Sequence, residues 1–184
     1  MRFTWVQAGS EFTCALTAEG AAYCWGLNEG GQLGGGSREA RALTPVPVAG
    51  GRTFRALSAG REHACALARD GQAFCWGYSP EGALGIREEE EARVPAPVAT
   101  DQRFVGISAG DQRTCAVTRE GSVYCWGRFS QPSSEPGGRG GPELVRLESP
   151  VRFRSVAAGL IHACGMAEDG RLYCWGSNRD GQLG

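Results

Sequence analysis

The chain has 184 residues, of which 41% are hydrophobic, and its formal net charge at pH 7 is −1. This length is sufficient for a hydrophobic core. The near balance of acidic and basic residues gives no sequence-wide reason to expect binding to nucleic acid or to an anionic membrane. No apolar run is long enough to span a bilayer, and residues 1–9 lack the apolar region of a signal peptide. We therefore expect no membrane insertion.

A hairpin pattern near the start of the chain recurs three more times. Residues 12–26 read FTCALTAEGAAYCWG, and similar stretches begin at His63, Arg113 and His162, each with two cysteines ten residues apart. A segment that starts with phenylalanine and ends in Ala-Gly precedes each hairpin, and Pro-Val runs lie between the units. A period of about fifty residues, made of short apolar runs without a helical stripe, predicts an all-β repeat array. The repeat units are expected at residues 1–42, 43–93, 94–143 and 144–184, within one segment.

Each hairpin is predicted to close with a tight turn that ends in glycine. A type I turn followed by a left-handed residue favours glycine at that last position, because glycine has no Cβ to clash. Pairing the first hairpin outward from its turn places Cys14 opposite Cys24 at a non-hydrogen-bonded site, where the two Cα atoms lie about 4.5 Å apart. The turns are Ala18-Glu19-Gly20, Arg69-Asp70-Gly71, Arg119-Glu120-Gly121 and Glu168-Asp169-Gly170.

The same pairing applies to all eight cysteines, and we interpret each pair as a disulfide. Buried free thiols are the alternative, since cysteine also packs well as a small core residue. Zinc fits less well, because two cysteines in one hairpin supply half a site and the chain has only two histidines. Disulfides persist in oxidising compartments, so the sequence predicts an extracellular, periplasmic or cell-surface location with an export signal upstream of this chain. The pairs are Cys14 with Cys24, Cys65 with Cys75, Cys115 with Cys125, and Cys164 with Cys174.

Aromatic residues flank the second cysteine of each hairpin. Because successive side chains of a strand point to opposite faces, Tyr23 and Trp25 lie on the face opposite Cys24. A sheet with two apolar faces needs cover on both, and a neighbouring copy on each side provides it. The alternative is an exposed row of tryptophans that stacks on bases or sugars. The corresponding aromatic pairs are Phe74 and Trp76, Tyr124 and Trp126, and Tyr173 and Trp175.

Together these features resemble a known repeat. The Ala-Gly segment, the hairpin through Trp-Gly, and the motif Asn28-x-x-Gly31-Gln32-Leu33-Gly34, which returns at residues 178–184, resemble the repeat of the regulator of chromosome condensation (RCC1) family. The resemblance implies an all-β, RCC1-like β-propeller of seven four-stranded blades, of which this chain would supply about 3.5 to 4. The resemblance further implies that the cysteine pairs mark an exported, bacterial-type branch of the family. The second unit has Gly82-Ala83-Leu84-Gly85, and a Pro-, Ser- and Gly-rich stretch at residues 129–142 replaces the motif in the third.

Counting blades leaves two arrangements open. If the Pro-Val strand opens each blade, the first blade lacks its opening strand, and three full blades and one partial blade remain. The terminal packing faces would then be bare. We expect the chain to be a fragment of a longer propeller, and the alternative is a homo-oligomer in which several chains complete a ring.

The residues that follow each Ala-Gly are the candidate contact surface. They differ between the units, and repeat equivalence places them side by side on one rim, where loops of such folds carry function. We expect this rim to bind a protein partner. Its residues are Ser10, Glu11 and Phe12 in the first unit, Arg61 and Glu62 in the second, Asp111 and Gln112 in the third, and Leu160 and Ile161 in the fourth.

No catalytic, cofactor-binding or metal site is predicted. His63 and His162 occupy a position that Phe12 and Arg113 fill in the other units, so we expect each histidine to be structural and bonded to backbone. The glycine run at residues 34–36 lacks the Lys-Ser/Thr and the helix of a phosphate loop. The acidic run at residues 88–91 is interpreted as a solvated connector, with a basic partner or a cation as the alternative.

Three functions remain open at the level of sequence. The leading hypothesis is a non-enzymatic module that binds a protein through its blade loops. The family resemblance implies a second, guanine nucleotide exchange with docking on chromatin as in the founding member, although the chain shows neither a basic tail nor an exchange hairpin. A carbohydrate-binding or enzymatic propeller is the third, and only the aromatic content supports it.

Overall fold

The computed structural model describes residues 1–87, 90–128 and 141–184. Two residues of the acidic run and nearly all of the Pro-, Ser- and Gly-rich stretch lie outside these ranges. Within them the chain forms strands and turns and no helix. The strands are β1 Trp5–Ala8, β2 Phe12–Leu16, β3 Ala22–Leu27, β4 Arg41–Pro47, β5 Phe54–Ala59, β6 His63–Ala68, β7 Ala73–Tyr78, β8 Glu91–Pro97, β9 Phe104–Ala109, β10 Arg113–Thr118, β11 Val123–Gly127, β12 Gly141–Arg146, β13 Phe153–Ala158, β14 His162–Ala167 and β15 Leu172–Gly176.

The described strands group into four antiparallel sheets in chain order. Blade 1 contains β1 to β4, blade 2 contains β5 to β8, and blade 3 contains β9 to β12, each with its strands in sequential order. Blade 4 contains β13, β14 and β15. The first strands of neighbouring blades contact each other, so these inner strands lie together on one side of the molecule. The architecture is a partial β-propeller, as expected.

The strand order expected from the sequence was wrong in one respect. At the first two junctions the Pro-Val segment does not open the next blade but closes the preceding one: β4 pairs with β3, with Val46 opposite Cys24 and Pro47 opposite Tyr23, and β8 pairs with β7 in the same way. Pro150 and Val151 follow β12 and belong to no strand. Both neighbours of this segment are close along the chain, so the sequence alone does not determine which of them it pairs with. The partial blade is therefore blade 4 and not blade 1.

The predicted hairpin turns are confirmed. The glycine that ends each turn has a positive φ, with values of 89°, 87°, 81° and 87° along the chain. In the first hairpin the amide of Thr17 donates to the carbonyl of Ala21 at 3.0 Å, which closes the turn as expected. Because the turn fixes the register, each first cysteine lies directly opposite the second.

The two sulfur atoms of each opposed pair lie at disulfide distance. The four S–S distances range from 2.04 to 2.14 Å, and the paired Cα atoms are 4.0 to 4.1 Å apart. Each bridge joins the two central strands of its own sheet. Among the described residues no cysteine is left free.

Each junction between blades packs a cysteine-bearing face against an aromatic face. At the first junction Cys14, Cys24 and Leu16 of blade 1 share a core with Phe74 and Trp76 of blade 2. The second and third junctions repeat this arrangement with the equivalent residues. We call these surfaces the cysteine face and the aromatic face of a blade. The prediction that neighbouring copies cover both faces is confirmed at these three junctions.

The tryptophans differ in burial according to their position in the array. Trp76 and Trp126 are completely buried, whereas Trp25 and Trp175 are half-buried. Each of the buried pair donates its indole N–H to a carbonyl of the preceding blade, Trp76 to Gln32 at 3.1 Å and Trp126 to Ala83 at 2.9 Å. At these two positions tryptophan therefore contributes to packing and not to an exposed stacking row.

Candidate functional site at the central depression

The ends of the four inner strands converge on an open depression. Four equivalent tripeptides line it, residues 8–10, 59–61, 109–111 and 158–160, around a volume of about 330 Å³. The glycines of these tripeptides approach the neighbouring backbone closely. A Cβ on Gly60 would lie 2.2 Å from the carbonyl oxygen of Gly110, and one on Gly110 would lie 2.4 Å from that of Gly159. The Ala-Gly pattern thus lets four chain segments meet at one surface, which we call the central depression.

The second residue after each Ala-Gly, which is Glu11 in blade 1, is held in place by the Trp-Gly sequence of the same sheet. Gly26 has a φ of 109° and forms a bulge between β3 and β4. A Cβ there would lie 2.5 Å from the carbonyl oxygen of Glu11, so only glycine allows this approach. The following amide, that of Leu27, donates to the same carbonyl at 2.8 Å. The other three blades repeat this bond at Glu62, Gln112 and Ile161.

Charged side chains form a small network across the depression. Arg61 of blade 2 lies 3.5 Å from Asp111 of blade 3, measured from Nη1 to Oδ1, and 3.6 Å from Glu62 on its own blade. The side chain of Arg61 is 52% exposed, so solvent screens these pairs and each adds little to stability. Arg61 is therefore available to a partner. Leu160 of blade 4 is 58% exposed and adds an apolar contact.

The structure places most of the predicted rim residues at or beside this depression, with one exception. Ser10, Arg61, Asp111 and Leu160 line it directly. The prediction was wrong for Phe12, which is only 3% exposed. Its ring packs over Gly9, where a Cβ would come within 2.3 Å of it. Phe12 already belongs to β2, and its side chain points into the junction with blade 2. Glu11 is exposed, and Glu62, Gln112 and Ile161 are partly exposed.

His63 occupies in blade 2 the position that Phe12 occupies in blade 1, and it is completely buried. Its Nε2 lies 3.0 Å from Oγ1 of Thr114 in blade 3, and that hydroxyl donates to the carbonyl of Ala83 at 2.8 Å. Because the hydroxyl proton is used in this way, Nε2 carries the imidazole proton and donates it. Burial lowers the pKa of His63 to about 4, so it is neutral at pH 7. The expected bond of this side chain to backbone is replaced by a bond to a side chain of the next blade.

Arg113 fills the equivalent position of blade 3 and is 1% exposed. Its Nε donates to the carbonyl of Arg128 at 3.2 Å. Burial lowers the pKa of Arg113 to about 10, which leaves it charged at pH 7. Arg113 is therefore buried within blade 3 and does not line the central depression.

Within residues 1–87, 90–128 and 141–184, no group of three or more His, Cys, Asp or Glu side chains is arranged to hold a metal ion. No helix of sufficient length and hydrophobicity to cross a membrane occurs in the same ranges.

Sequence reasoning did not assign a role to the Asn-x-x-Gly-Gln-Leu-Gly motif. In blade 1 this loop accepts the indole N–H of Trp76 through the backbone carbonyl of Gln32, and a Cβ on Gly34 would lie 2.7 Å from the same indole ring. Asn28 is buried and holds the loop, since its Oδ1 accepts from the amide of Leu33. The backbone carbonyl and not the Gln side chain accepts the indole N–H. Alanine can therefore occupy the equivalent position in blade 2, where the carbonyl of Ala83 accepts from Trp126. The sequence signal for this role was the recurrence of Gly31 and Gly34 as Gly82 and Gly85 in blade 2.

Two models of the regulator of chromosome condensation (RCC1) repeat match the chain. One covers residues 19–67 and 70–117, and the other covers residues 54–83, 104–131 and 153–182. The first of these spans more than half of the sequence. The chain belongs to the RCC1 repeat family.

Curated relatives resemble this RCC1 repeat segment over part of their length. It is 38% identical over 82 residues to the human E3 ubiquitin-protein ligase HERC2, and 32% identical over 93 residues to the ultraviolet-B receptor UVR8 of Arabidopsis thaliana. The matches cover 44% and 50% of this chain but only 2% of HERC2 and 21% of UVR8. They concern the repeats and not these whole proteins.

Solved structures support the same architecture for the RCC1 repeats. Human WBSCR16 superposes with a TM-score of 0.88 at 20% identity, and the match covers 100% of this chain and 50% of that one. Prp20p from Saccharomyces cerevisiae, described with its binding properties to Gsp1p and histones, superposes with a TM-score of 0.81 at 24% identity over 95% of this chain and 45% of its own. Similarity at this level of identity concerns the fold alone.

Proposed function

We propose that the chain is a non-enzymatic protein-binding module whose partner contacts the central depression and its rim. The observation that carries the proposal is the convergence of four equivalent tripeptides on one open surface. The side chains there differ in each blade and offer acidic groups, one exposed arginine and an exposed leucine. Such a mixture of charge and apolar area suits a protein surface. Support also comes from membership of a repeat family in which propeller loops mediate protein interactions or nucleotide exchange.

The experiment compares two triple variants with matched charge changes. In the rim variant, Glu11, Glu62 and Asp111 become lysine. In the control variant, Glu19, Glu120 and Glu168 become lysine, which changes the hairpin turns at the opposite ends of the strands. A partner is first captured with the unaltered chain, identified and purified, and its affinity for the three proteins is measured by calorimetry.

We expect the rim variant to bind at least about tenfold more weakly, while the control variant binds like the unaltered chain. Equal binding by all three proteins would contradict the proposal, because the partner would then use another surface. Equal loss in both variants would also contradict it, since a general change of charge would then explain the result.

We also propose that the protein works in an oxidising compartment outside the cytoplasm. The four cysteine pairs at disulfide distance support this, because such bridges are reduced in most cytosols. Trapping thiols with an alkylating reagent at the moment of lysis measures their state in the native cell. Eight modified cysteines would contradict this placement.

A further inference from the structure

We propose that a cavity at the hairpin-turn end of blades 2 and 3 binds an acidic segment of a protein. The cavity has a volume of about 170 Å³. It lies at the opposite ends of the strands from the central depression, so it is a second site that goes beyond the proposed function. Four arginines line it, and we call it the arginine cavity. They are Arg55 and Arg69 of blade 2, and Arg103 and Arg119 of blade 3.

The positive charge of the arginine cavity is not neutralised inside the chain. All four arginines are exposed, and none of them forms an ion pair with another described residue. Asp70 is the one acidic residue among the described residues that line the cavity. Its Oδ1 accepts from the backbone amide of Gln72 at 3.0 Å. Four arginines and one aspartate give the lining a formal net charge of +3.

This excess of positive charge is confined to the second junction between blades. The equivalent positions of the first junction hold two arginines and one glutamate, and those of the third junction hold three arginines and two glutamates, which is a formal net charge of +1 at each. The first set is Thr4, Ala18, Glu19, Thr53, Arg55 and Arg69, and the second set is Val105, Arg119, Glu120, Arg152, Arg154 and Glu168.

Arg55 is held across the junction by backbone carbonyls of both blades. Its Nε donates to the carbonyl of Ala68 on its own blade at 3.3 Å. Its Nη1 donates to the carbonyl of Val105 at 3.4 Å, and its Nη2 donates to that of Phe104. These bonds use three of the five N–H groups of the guanidinium, so two remain for a ligand. Because Arg55 is already fixed, its side chain loses little conformational entropy when a ligand binds.

The chemistry of the arginine cavity fits the carboxylates of a protein segment. A guanidinium group pairs with a carboxylate through two parallel N–H···O bonds. Val105 lines the same cavity and is 37% exposed, so it offers an apolar contact to a side chain between the carboxylates. A nucleic acid carries a charge at every phosphate and gains most from a long basic strip, which an excess confined to one junction does not provide. A segment rich in aspartate and glutamate is therefore the ligand that we infer.

Fluorescence anisotropy with a labelled peptide of about eight glutamates tests the proposal on the 184-residue chain. In the cavity variant, Arg69→Gln is combined with Arg119→Gln, because both residues lie in exposed turns. In the control variant, Arg38→Gln is combined with Arg41→Gln, which makes the same change of charge at exposed positions of blade 1 near the other ends of the strands. Near-ultraviolet circular dichroism checks that both variants are folded.

We expect the cavity variant to bind the peptide at least about fivefold more weakly, while the control variant binds like the unaltered chain. A peptide of glutamines with the same length should not bind, since it lacks the carboxylates. No binding of the glutamate peptide by the unaltered chain would overturn the proposal. Equal weakening in the two variants would also overturn it, because the overall charge of the chain would then explain the binding.

Lysine at the same two positions separates charge from packing. Arg69→Lys with Arg119→Lys keeps the charge but loses the fork of N–H groups, so this variant should bind more tightly than the glutamine variant and more weakly than the unaltered chain. Binding as weak as that of the glutamine variant would contradict a role for positive charge at these positions.

A single-stranded oligothymidylate of the same length tests the other class of anionic ligand. We expect it to bind the unaltered chain more weakly than the glutamate peptide does. Tighter binding of the oligonucleotide that is lost in the cavity variant would overturn the proposal, because the cavity would then be a site for nucleic acid.

Discussion

Two glycines of the motif loops have a packing role that a side chain would abolish. Gly34 and Gly85 have φ values of 67°, and a Cβ on either would lie within 2.7 to 2.8 Å of an atom of the tryptophan of the next blade. Their absence of a side chain lets the indole reach the loop carbonyl. The junction between blades therefore depends on a residue that itself buries no side chain.

We predict that Gly34→Ala destabilises the chain much more than Gly50→Ala. Both positions have positive φ, at 67° and 89°, so each substitution carries a backbone cost of about 1 to 2 kcal/mol. Only Gly34 adds an overpacking cost of about 1 to 3 kcal/mol, because a Cβ on Gly50 would meet nothing within 4 Å. Denaturant unfolding measures the difference. Equal free energies of unfolding for the two variants would show that Trp76 does not pack on this loop.

His63 makes the stability of the chain depend on pH in a defined direction. Its folded pKa of about 4 is below the usual value of 6.5, so the unfolded chain binds a proton first as the pH falls. Stability from this residue is present above about pH 6.5 and is lost as the pH falls toward 4. Between pH 7 and pH 5 the loss is about 2 kcal/mol.

The double variant His63→Phe with Thr114→Ala should remove this part of the pH dependence. It recreates the Phe12–Ala64 pair of the first junction, so the packing is retained while the titrating group is lost. Denaturant unfolding at pH 7 and pH 5 compares it with the unaltered chain. The same loss of stability in both proteins would show that His63 is protonated in the folded state or is not buried.

At the scale of strands, the sequence predicted what depends on local chemistry. The Glu-Gly and Asp-Gly turns determine the hairpin register, and the register determines that Cys14 faces Cys24; both followed from counting residues. The pairing of the Pro-Val strand did not follow, because the sheets before and after it are both close along the chain. Phe12 was assigned to the rim because its direction depends on where β2 begins and on the space above Gly9, which the sequence does not show.

The order of the strands leads to a prediction for blade 4. β15 pairs only with β14 among the described strands, whereas its equivalent β7 lies between β6 and β8. The cysteine face of blade 4 is also uncovered. In hydrogen exchange, amides of residues 172–176 should exchange faster than those of residues 73–78. Equal protection of the two segments would contradict the described topology of blade 4.

At the scale of the molecule, each blade is closed by its own cysteine pair, and each of the first three blades packs that side of its sheet against the aromatic face of the next blade. This single rule accounts for the three buried cores, for the burial of Trp76 and Trp126, and for the convergence of the inner strands at the central depression. A ten-residue separation allows each bridge to form inside one hairpin, so the blades remain separate units along the chain.

Mapping of the disulfides in the folded, alkylated chain by mass spectrometry of unreduced peptides tests this rule most directly. The structure predicts four linkages, Cys14 to Cys24, Cys65 to Cys75, Cys115 to Cys125 and Cys164 to Cys174, and no alkylated cysteine. Linkages that join cysteines of different blades, or eight alkylated cysteines in a chain that is folded, would contradict it.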